Sequence, residues 1–148
     1  ILSFMNAATD ALLFTQTFTV LAEAAGLGTC FLGTTVYMPQ MIIDTLHLPQ
    51  LVMPVATLTV GWPDEKPAQT DRLPLRSIIH NETFDDYTPE KIDDFYAEKE
   101  ALEENKEFVR INQVETLAQV FTDIRYTKKD CEAMSTGFIE ALRKQGFF

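Results

Sequence analysis

Residues 24–34 of the chain read Ala-Ala-Gly-Leu-Gly-Thr-Cys-Phe-Leu-Gly-Thr, and they join a nearly uncharged helical pattern to a short apolar strand over residues 29–32. The helical pattern predicts an N-cap at Thr9 or Asp10 and an end at Gly26, a residue suited to the left-handed position after a helix. Glycine also lets a flat ligand lie close to the backbone without steric cost. The stretch therefore predicts either a helix C-cap followed by a bend in a core strand, or a shelf for a cofactor.

Charged residues are distributed very unevenly along the 148 residues. Residues 1–60 contain no Lys or Arg and only three acids, Asp10, Glu23 and Asp44, whereas all 12 basic residues follow. One small domain cannot hide sixty such residues from water, so we expect either a partner surface or a further part of the chain to cover them. The net charge of −10 argues against nucleic acid as that partner, because no basic stripe offsets phosphate repulsion.

Cys30 and Cys131 lack the spacing of a metal site or of a disulfide framework, which indicates a reducing, cytoplasmic environment. His47 and His80 likewise have no metal-spaced partner, so we predict no metal and expect both to be hydrogen-bonded structural residues. The uncharged window 24–43 is interrupted by Gly and Pro, which favours a buried core segment over a membrane span.

Further elements are predicted from hydrophobic period and from start and stop signals. We expect a helix from about Pro39 that ends before Pro49, a central strand over Val52–Val60, a short extended piece over Ser77–His80, a helix capped by Thr88 that includes Leu102, a helix over Val114–Ile124, and a last helix from Lys129 or Asp130 that stops at Gly146.

The glycine spacing Gly26-x-Gly28-x-x-x-x-Gly33 invites comparison with dinucleotide-binding loops. That fingerprint follows a strand and opens a helix, whereas here the order is helix, glycines, strand. A P-loop is excluded as well, because no Gly-Lys-Ser/Thr occurs. The glycines therefore predict neither of the two common phosphate-binding turns.

The order of several landmarks resembles the FMN-dependent nitroreductase family, nearest to its NADPH-linked nitroreductase and flavin reductase branch. After the glycine stretch, the landmarks are Leu48-Pro49, Val60-Gly61-Trp62-Pro63, Arg72-Leu73-Pro74 followed by His80, and Lys144-Gln145-Gly146-Phe147. The resemblance implies an α+β fold with a central mixed or antiparallel sheet flanked by helices, in an intertwined homodimer. It also implies that residues 1–148 form a single domain without its N-terminal portion, with a core helix and sheet over 1–80 and a helical region over 81–148.

The same resemblance implies a flavin site. It places the backbone of Phe31, Leu32, Gly33 and Thr34 along the ring of FMN, where fixed N–H donors stabilise added electron density. No catalytic side chain is implied, because the flavin carries the chemistry.

Arg72 resembles the ligand of the FMN phosphate, and the alternative is a surface Arg that pairs with Asp71 or Asp64. Thr70 occupies a position that is basic in the nearest relatives, and its hydroxyl remains a hydrogen-bond donor for the phosphate. Trp62 is expected to be a packing anchor at the strand end rather than a platform for substrate.

The implied activity is an NAD(P)H-dependent FMN oxidoreductase that reduces nitroaromatics, quinones or flavins by ping-pong hydride transfer. NADPH or NADH is the electron donor. The alternative is a shortened, non-catalytic relative that serves as a flavin-binding or structural dimer module. Both interpretations require the dimer, and only the first requires turnover.

Overall fold

The apolar N-terminal helix, α1, spans Leu2–Ala24 in the computed structural model, which describes residues 1–148. The predicted N-cap at Thr9 or Asp10 is wrong, because Thr9 lies inside the helix and its hydroxyl donates to the carbonyl of Met5 at 2.8 Å. Phe4 packs edge-to-face on Phe138 and Phe147, with ring centroids 5.9 and 5.3 Å away, and this contact holds the additional turns. The helix therefore begins several residues before the predicted cap, because tertiary packing stabilises its first turns.

The chain divides into two units. The first unit consists of Ile1–Lys66 and Lys129–Phe148, and the second unit of Pro67–Lys128. None of the helices, α1 included, combines the length and apolar character needed to cross a membrane.

In the first unit, α1 ends as predicted, with Gly26 at φ +85°. Strand β1, Gly28–Leu32, pairs antiparallel with β2, Thr57–Gly61, so that Gly28 lies opposite Gly61 and Leu32 opposite Thr57. Helices combined with this two-stranded antiparallel sheet confirm the α+β class.

The predicted strand Val52–Val60 is wrong at its start, since β2 begins only at Thr57. Pro54 lies in the missing part, and proline has no N–H to contribute to a ladder. Helix α2, Pro39–Leu46, confirms the helix expected near Pro39, with proline in its first turn.

The C-terminal end of the first unit holds the segment that precedes β2. Helix α6 spans Lys128–Lys144 and is followed by Gly146 at φ +81°, which confirms the predicted stop. Gln145 is only 4% exposed, and its Nε2 donates to the carbonyls of Pro49 at 2.9 Å and Val52 at 2.6 Å. In addition, the backbone amide of Leu51 donates a hydrogen bond of 2.8 Å to the backbone carbonyl of Gln145. This Gln145 clamp satisfies backbone groups of a segment that has no ladder of its own.

The second unit begins with a turn where an extended piece was predicted. The expectation for Ser77–His80 is wrong, because Leu75–Ser77 form a 3₁₀ helix and the Leu75 carbonyl accepts from the amides of Ile78 and Ile79, both at 3.0 Å. Helix α3, Pro89–Glu100, begins as predicted, with the Thr88 hydroxyl accepting from the amide of Lys91.

The remaining helices of the second unit differ from the prediction. Leu102 is not part of α3 but precedes a separate helix, α4, which spans Glu103–Asn112. The helix predicted over Val114–Ile124 begins only at Leu117, where Thr116 and Gln119 form a capping box. This short helix, α5, spans Leu117–Gln119 and continues as a π-helix over Val120–Arg125. The π-helical geometry is not encoded in the 3.6-residue period from which the helix was predicted.

Candidate functional site

The first group of predicted site residues lies where β1 ends in a turn. Phe31 and Leu32 are 43% and 44% exposed. The hydroxyl of Thr35 lies 3.2 Å from the Leu32 carbonyl and 2.9 Å from the hydroxyl of Thr57, so it fixes the backbone directly after the strand. The Thr34 carbonyl accepts from the amide of Tyr37 at 3.0 Å. The turn is thus held through its carbonyl oxygens.

The amides of Gly33 and Thr34 donate no hydrogen bond within the protein. A Cβ added to Gly33 would meet no atom within 4 Å, so the space beside this backbone is open. Two successive N–H groups next to an exposed apolar strand end match a planar ligand with acceptor atoms on one edge. A flavin ring has this chemistry, and the residues present therefore fit it.

The second group of predicted site residues lies in the second unit. One terminal nitrogen of the Arg72 guanidinium donates to the carbonyl of Asp71 at 3.0 Å and also contacts the hydroxyl and carbonyl of Thr70. Arg72 forms no ion pair with a carboxylate, so the alternative of pairing with Asp71 or Asp64 is not realised. Its other two nitrogens remain as donors for an anion. A phosphate group fits this donor set.

Asp71 has a different ionic partner, Lys99 in the last turn of α3. Lys99 Nζ lies 2.6 Å from Asp71 Oδ2, and the two side chains are only 22% and 31% exposed. The hydrogen bond and the positive charge from Lys99 lower the pKa of Asp71, and the neighbouring Arg72 adds a smaller effect in the same direction. The Asp71 carboxylate therefore stays ionised at pH values below its usual titration range and remains paired with Lys99.

Arg72 and Lys99 share a largely apolar cavity of about 550 Å³. Its other walls come from Leu75, Ile78, Tyr96 and Phe121, the last of these on the π-helix. Sequence reasoning did not find the pairing of Lys99 with Asp71. The available signal was a carboxylate directly before the predicted phosphate ligand, since such a group requires a cation of its own.

Two other predictions concern single residues, Trp62 and His80. Trp62 is 82% exposed, so the expectation of a packing anchor is wrong for this chain on its own. His80 is hydrogen-bonded, as expected, with Nδ1 accepting from the amide of Asp85 at 3.2 Å and its ring stacked on Phe84. Phe31 to Thr34 are brought together at one turn of the first unit, and Thr70 and Arg72 are brought together in the second unit.

Comparison with known proteins gives a consistent result. No family model matches the chain. It is 38% identical over 82 residues to an FMN reductase [NAD(P)H] of Bacillus subtilis strain 168. The aligned region covers 55% of this chain and 33% of the relative. The chain spans about a third of the length of this curated relative.

Solved structures extend the similarity to the whole chain. A crystal structure described as an oxidoreductase, from Bacteroides fragilis NCTC 9343, is 61% identical with a TM-score of 0.94, covering 100% of this chain and 60% of that one. The NfrA1 nitroreductase from Bacillus subtilis, 24% identical, shares the fold with a TM-score of 0.71 over 97% of this chain and 56% of that one. The chain therefore has the nitroreductase fold and is similar in sequence to part of the FMN reductases and nitroreductases.

Proposed function

We propose that the protein is an NAD(P)H-dependent FMN oxidoreductase. The observation that carries the proposal is the pair of amides at Gly33 and Thr34 that donate no hydrogen bond, beside an open backbone, in a chain that is 38% identical over 82 residues to an FMN reductase. FMN, when bound, supplies the hydride chemistry, which needs positioning and exclusion of water more than an acid or base from the protein. NADPH or NADH is the donor, and the acceptor is a nitroaromatic, a quinone or a free flavin. One shared site for donor and acceptor predicts ping-pong kinetics.

At the ring, Phe31 and Leu32 supply apolar surface, and Gly33 and Thr34 supply the N–H donors. Donors that are already fixed by the turn need no reorganisation when negative charge develops on a ligand. At the phosphate, Arg72 supplies a permanently charged fork and Thr70 a hydroxyl. Each assignment has its own test, so one group can fail without the other.

The proposed partner is a second copy of the chain, which covers α1. Apolar side chains of α1 are strongly exposed, with Phe14 at 73% and Leu13 at 64%. Exposed apolar surface on this scale marks an interaction site. We also propose that the protein works in the cytoplasm, which agrees with two cysteines that form no disulfide. A single nitroreductase-like domain over residues 1–148 remains part of this proposal.

A visible absorption spectrum of the purified complete protein, recorded before and after NADPH is added, tests the proposal. We expect a yellow protein whose flavin band bleaches with NADPH. A yellow protein that NADPH or NADH does not bleach would favour the second candidate, a flavin-binding module without turnover, which Thr70 in place of a basic residue supports. A colourless protein that does not take up added FMN would leave only the structural dimer.

Arg72→Ala tests the phosphate assignment. We expect FMN affinity to fall by about tenfold or more, because a charge-assisted contact to the phosphate is lost. Arg110→Ala is the matched control, since Arg110 is exposed and already paired with Glu107 at 2.6 Å. Equal FMN affinity in the wild type and Arg72→Ala removes Arg72 from the site.

A further inference from the structure

The carboxylate of Asp71 is the nearest competitor in sequence for any anion that Arg72 binds. The two residues are neighbours in the chain, and the positive charge of Arg72 already acts on the Asp71 carboxylate. Opposite charges attract over the few ångströms that separate adjacent side chains, and a phosphate is repelled by a carboxylate at the same distance. Arg72 can therefore bind a phosphate only if the Asp71 carboxylate is paired with another cation.

Lys99 is the cation that pairs with the Asp71 carboxylate. Its Nζ lies 2.6 Å from Asp71 Oδ2, while the guanidinium of Arg72 contacts the main-chain oxygen of Asp71 instead of the carboxylate. Lys99 is itself well anchored, because its carbonyl accepts from Asn105 Nδ2 at 2.8 Å and from the amide of Leu102 at 3.3 Å. The cation is thus presented from a fixed helix end.

We propose that Lys99 is a positioning residue for the phosphate end of the FMN site, which holds the carboxylate of Asp71 away from Arg72 and so keeps the guanidinium available. The inference rests on the proposed function, since it takes FMN as the ligand of Arg72. Lys99 acts through Asp71 and does not touch the phosphate.

Charge explains why this arrangement favours an anion. Asp71, Arg72 and Lys99 together carry a net charge of one positive unit, and removal of the Lys99 cation leaves a neutral Asp71–Arg72 pair. A guanidinium paired with a neighbouring carboxylate has lost the donors and the charge that a phosphate requires. Neutralising Asp71 as well restores one positive unit and frees Arg72 again.

The experiment measures the affinity of the complete apoprotein for FMN and for riboflavin, which lacks the phosphate. We compare the wild type with Lys99→Met, Lys99→Gln, Asp71→Asn and the double variant Lys99→Met/Asp71→Asn. Both single Lys99 variants are expected to lose about tenfold in FMN affinity and none in riboflavin affinity. Asp71→Asn leaves two positive units and is expected to bind FMN at least as tightly as the wild type and riboflavin equally well, and the double variant is expected to recover FMN affinity to within about twofold.

Three results would overturn the inference. An unchanged ratio of FMN to riboflavin affinity in the Lys99 variants means that Lys99 has no phosphate-specific role, whether both affinities hold or fall together. Failure of the double variant to recover means that Lys99 contacts the phosphate directly. A wild type that binds FMN no more tightly than riboflavin removes the phosphate role of Arg72 itself, and this failure of the proposed function is visible before any variant is made.

Discussion

The two units of the chain hold themselves together by different means. The first unit, which includes residues 1–60 with three charged side chains, leaves large apolar residues of α1 in water and closes its irregular segment through the buried amide of Gln145. The second unit carries five ion pairs at 2.5–3.0 Å and begins two of its helices with threonine caps. The first unit therefore relies on apolar packing and buried hydrogen bonds, whereas the second relies on ion pairs and helix caps.

The difference shows which perturbations each unit should resist. Buried hydrogen bonds and apolar cover are sensitive to changes of single side chains but little affected by pH. Exposed ion pairs contribute little individually and respond to pH and salt. Mutations should therefore have their largest effects in the first unit, and solution conditions in the second.

The largest effect is expected for Gln145→Leu. The change leaves the carbonyls of Pro49 and Val52 without their side-chain donor, at a cost of about 3 kcal/mol in the free energy of unfolding. Chemical denaturation measures the loss. Gln69→Leu, at an exposed loop position, is the control and should leave stability nearly unchanged. Similar losses in both variants would show that the Gln145 clamp is not what holds residues 49–52.

Phe14→Asp is expected to disrupt the proposed dimer. A carboxylate placed in an apolar interface remains unpaired, and we expect the dissociation constant to rise by about 100-fold. Sedimentation equilibrium measures it. Ile111→Asp on α4 is the matched control, because Ile111 is also exposed but belongs to the second unit. Dissociation by Ile111→Asp to the same extent would contradict the contrast between the units.

Thr116→Ala tests the capping box of α5. The hydroxyl of Thr116 accepts from the amide of Gln119 at 3.3 Å, and its loss should cost about 1 kcal/mol. Thermal unfolding of the variant measures the loss. Thr136→Ala serves as control. The Thr136 hydroxyl donates to the carbonyl of Glu132 within the same helix, and alanine is the better helix former. A neutral Thr116→Ala would mean that tertiary contacts alone fix the start of α5.

Acid should weaken the second unit before the first. Hydrogen bonds from Lys99, Lys91 and Arg110 lower the pKa of Asp71, Asp85 and Glu107, respectively. Because each folded-state pKa lies below its unfolded value, the stabilisation is complete above the ordinary carboxyl range and is lost as the pH falls through the lowered folded-state pKa. Amide hydrogen exchange at pH 7 and pH 3, corrected for intrinsic rates, should show the larger loss of protection in α3 and α4. Equal loss in α1 would contradict this.

How far the sequence predicted the structure depends on how local each feature is. Gly26, Thr88 and Gly146 mark element ends through their own backbone or side chain, and all three predictions are confirmed. The start of α1 and the start of β2 were wrong, because the aromatic contacts of Phe4 and the proline at position 54 outweigh the apolar pattern.

The candidate site follows the same division. The turn at Phe31 to Thr34 was found from the glycine stretch, and Arg72 from its motif, but their ligand assignments remain predictions. Lys99 was missed, because it is one cation among many in a charged helix until α3 is packed beside Asp71.

The sequence by itself determined the uneven distribution of charge, the helix-to-strand turn at the glycines, the threonine caps and the resemblance to nitroreductases. Each of these depends on neighbouring residues or on the order of short motifs. Only the tertiary structure decided that the Gly33 and Thr34 amides are left without acceptors, that Gln145 closes the segment before β2, and that Lys99 takes the carboxylate of Asp71. These depend on which distant groups meet, and hydrogen bonds and ion pairs act only over a few ångströms, distances that the folded chain alone defines.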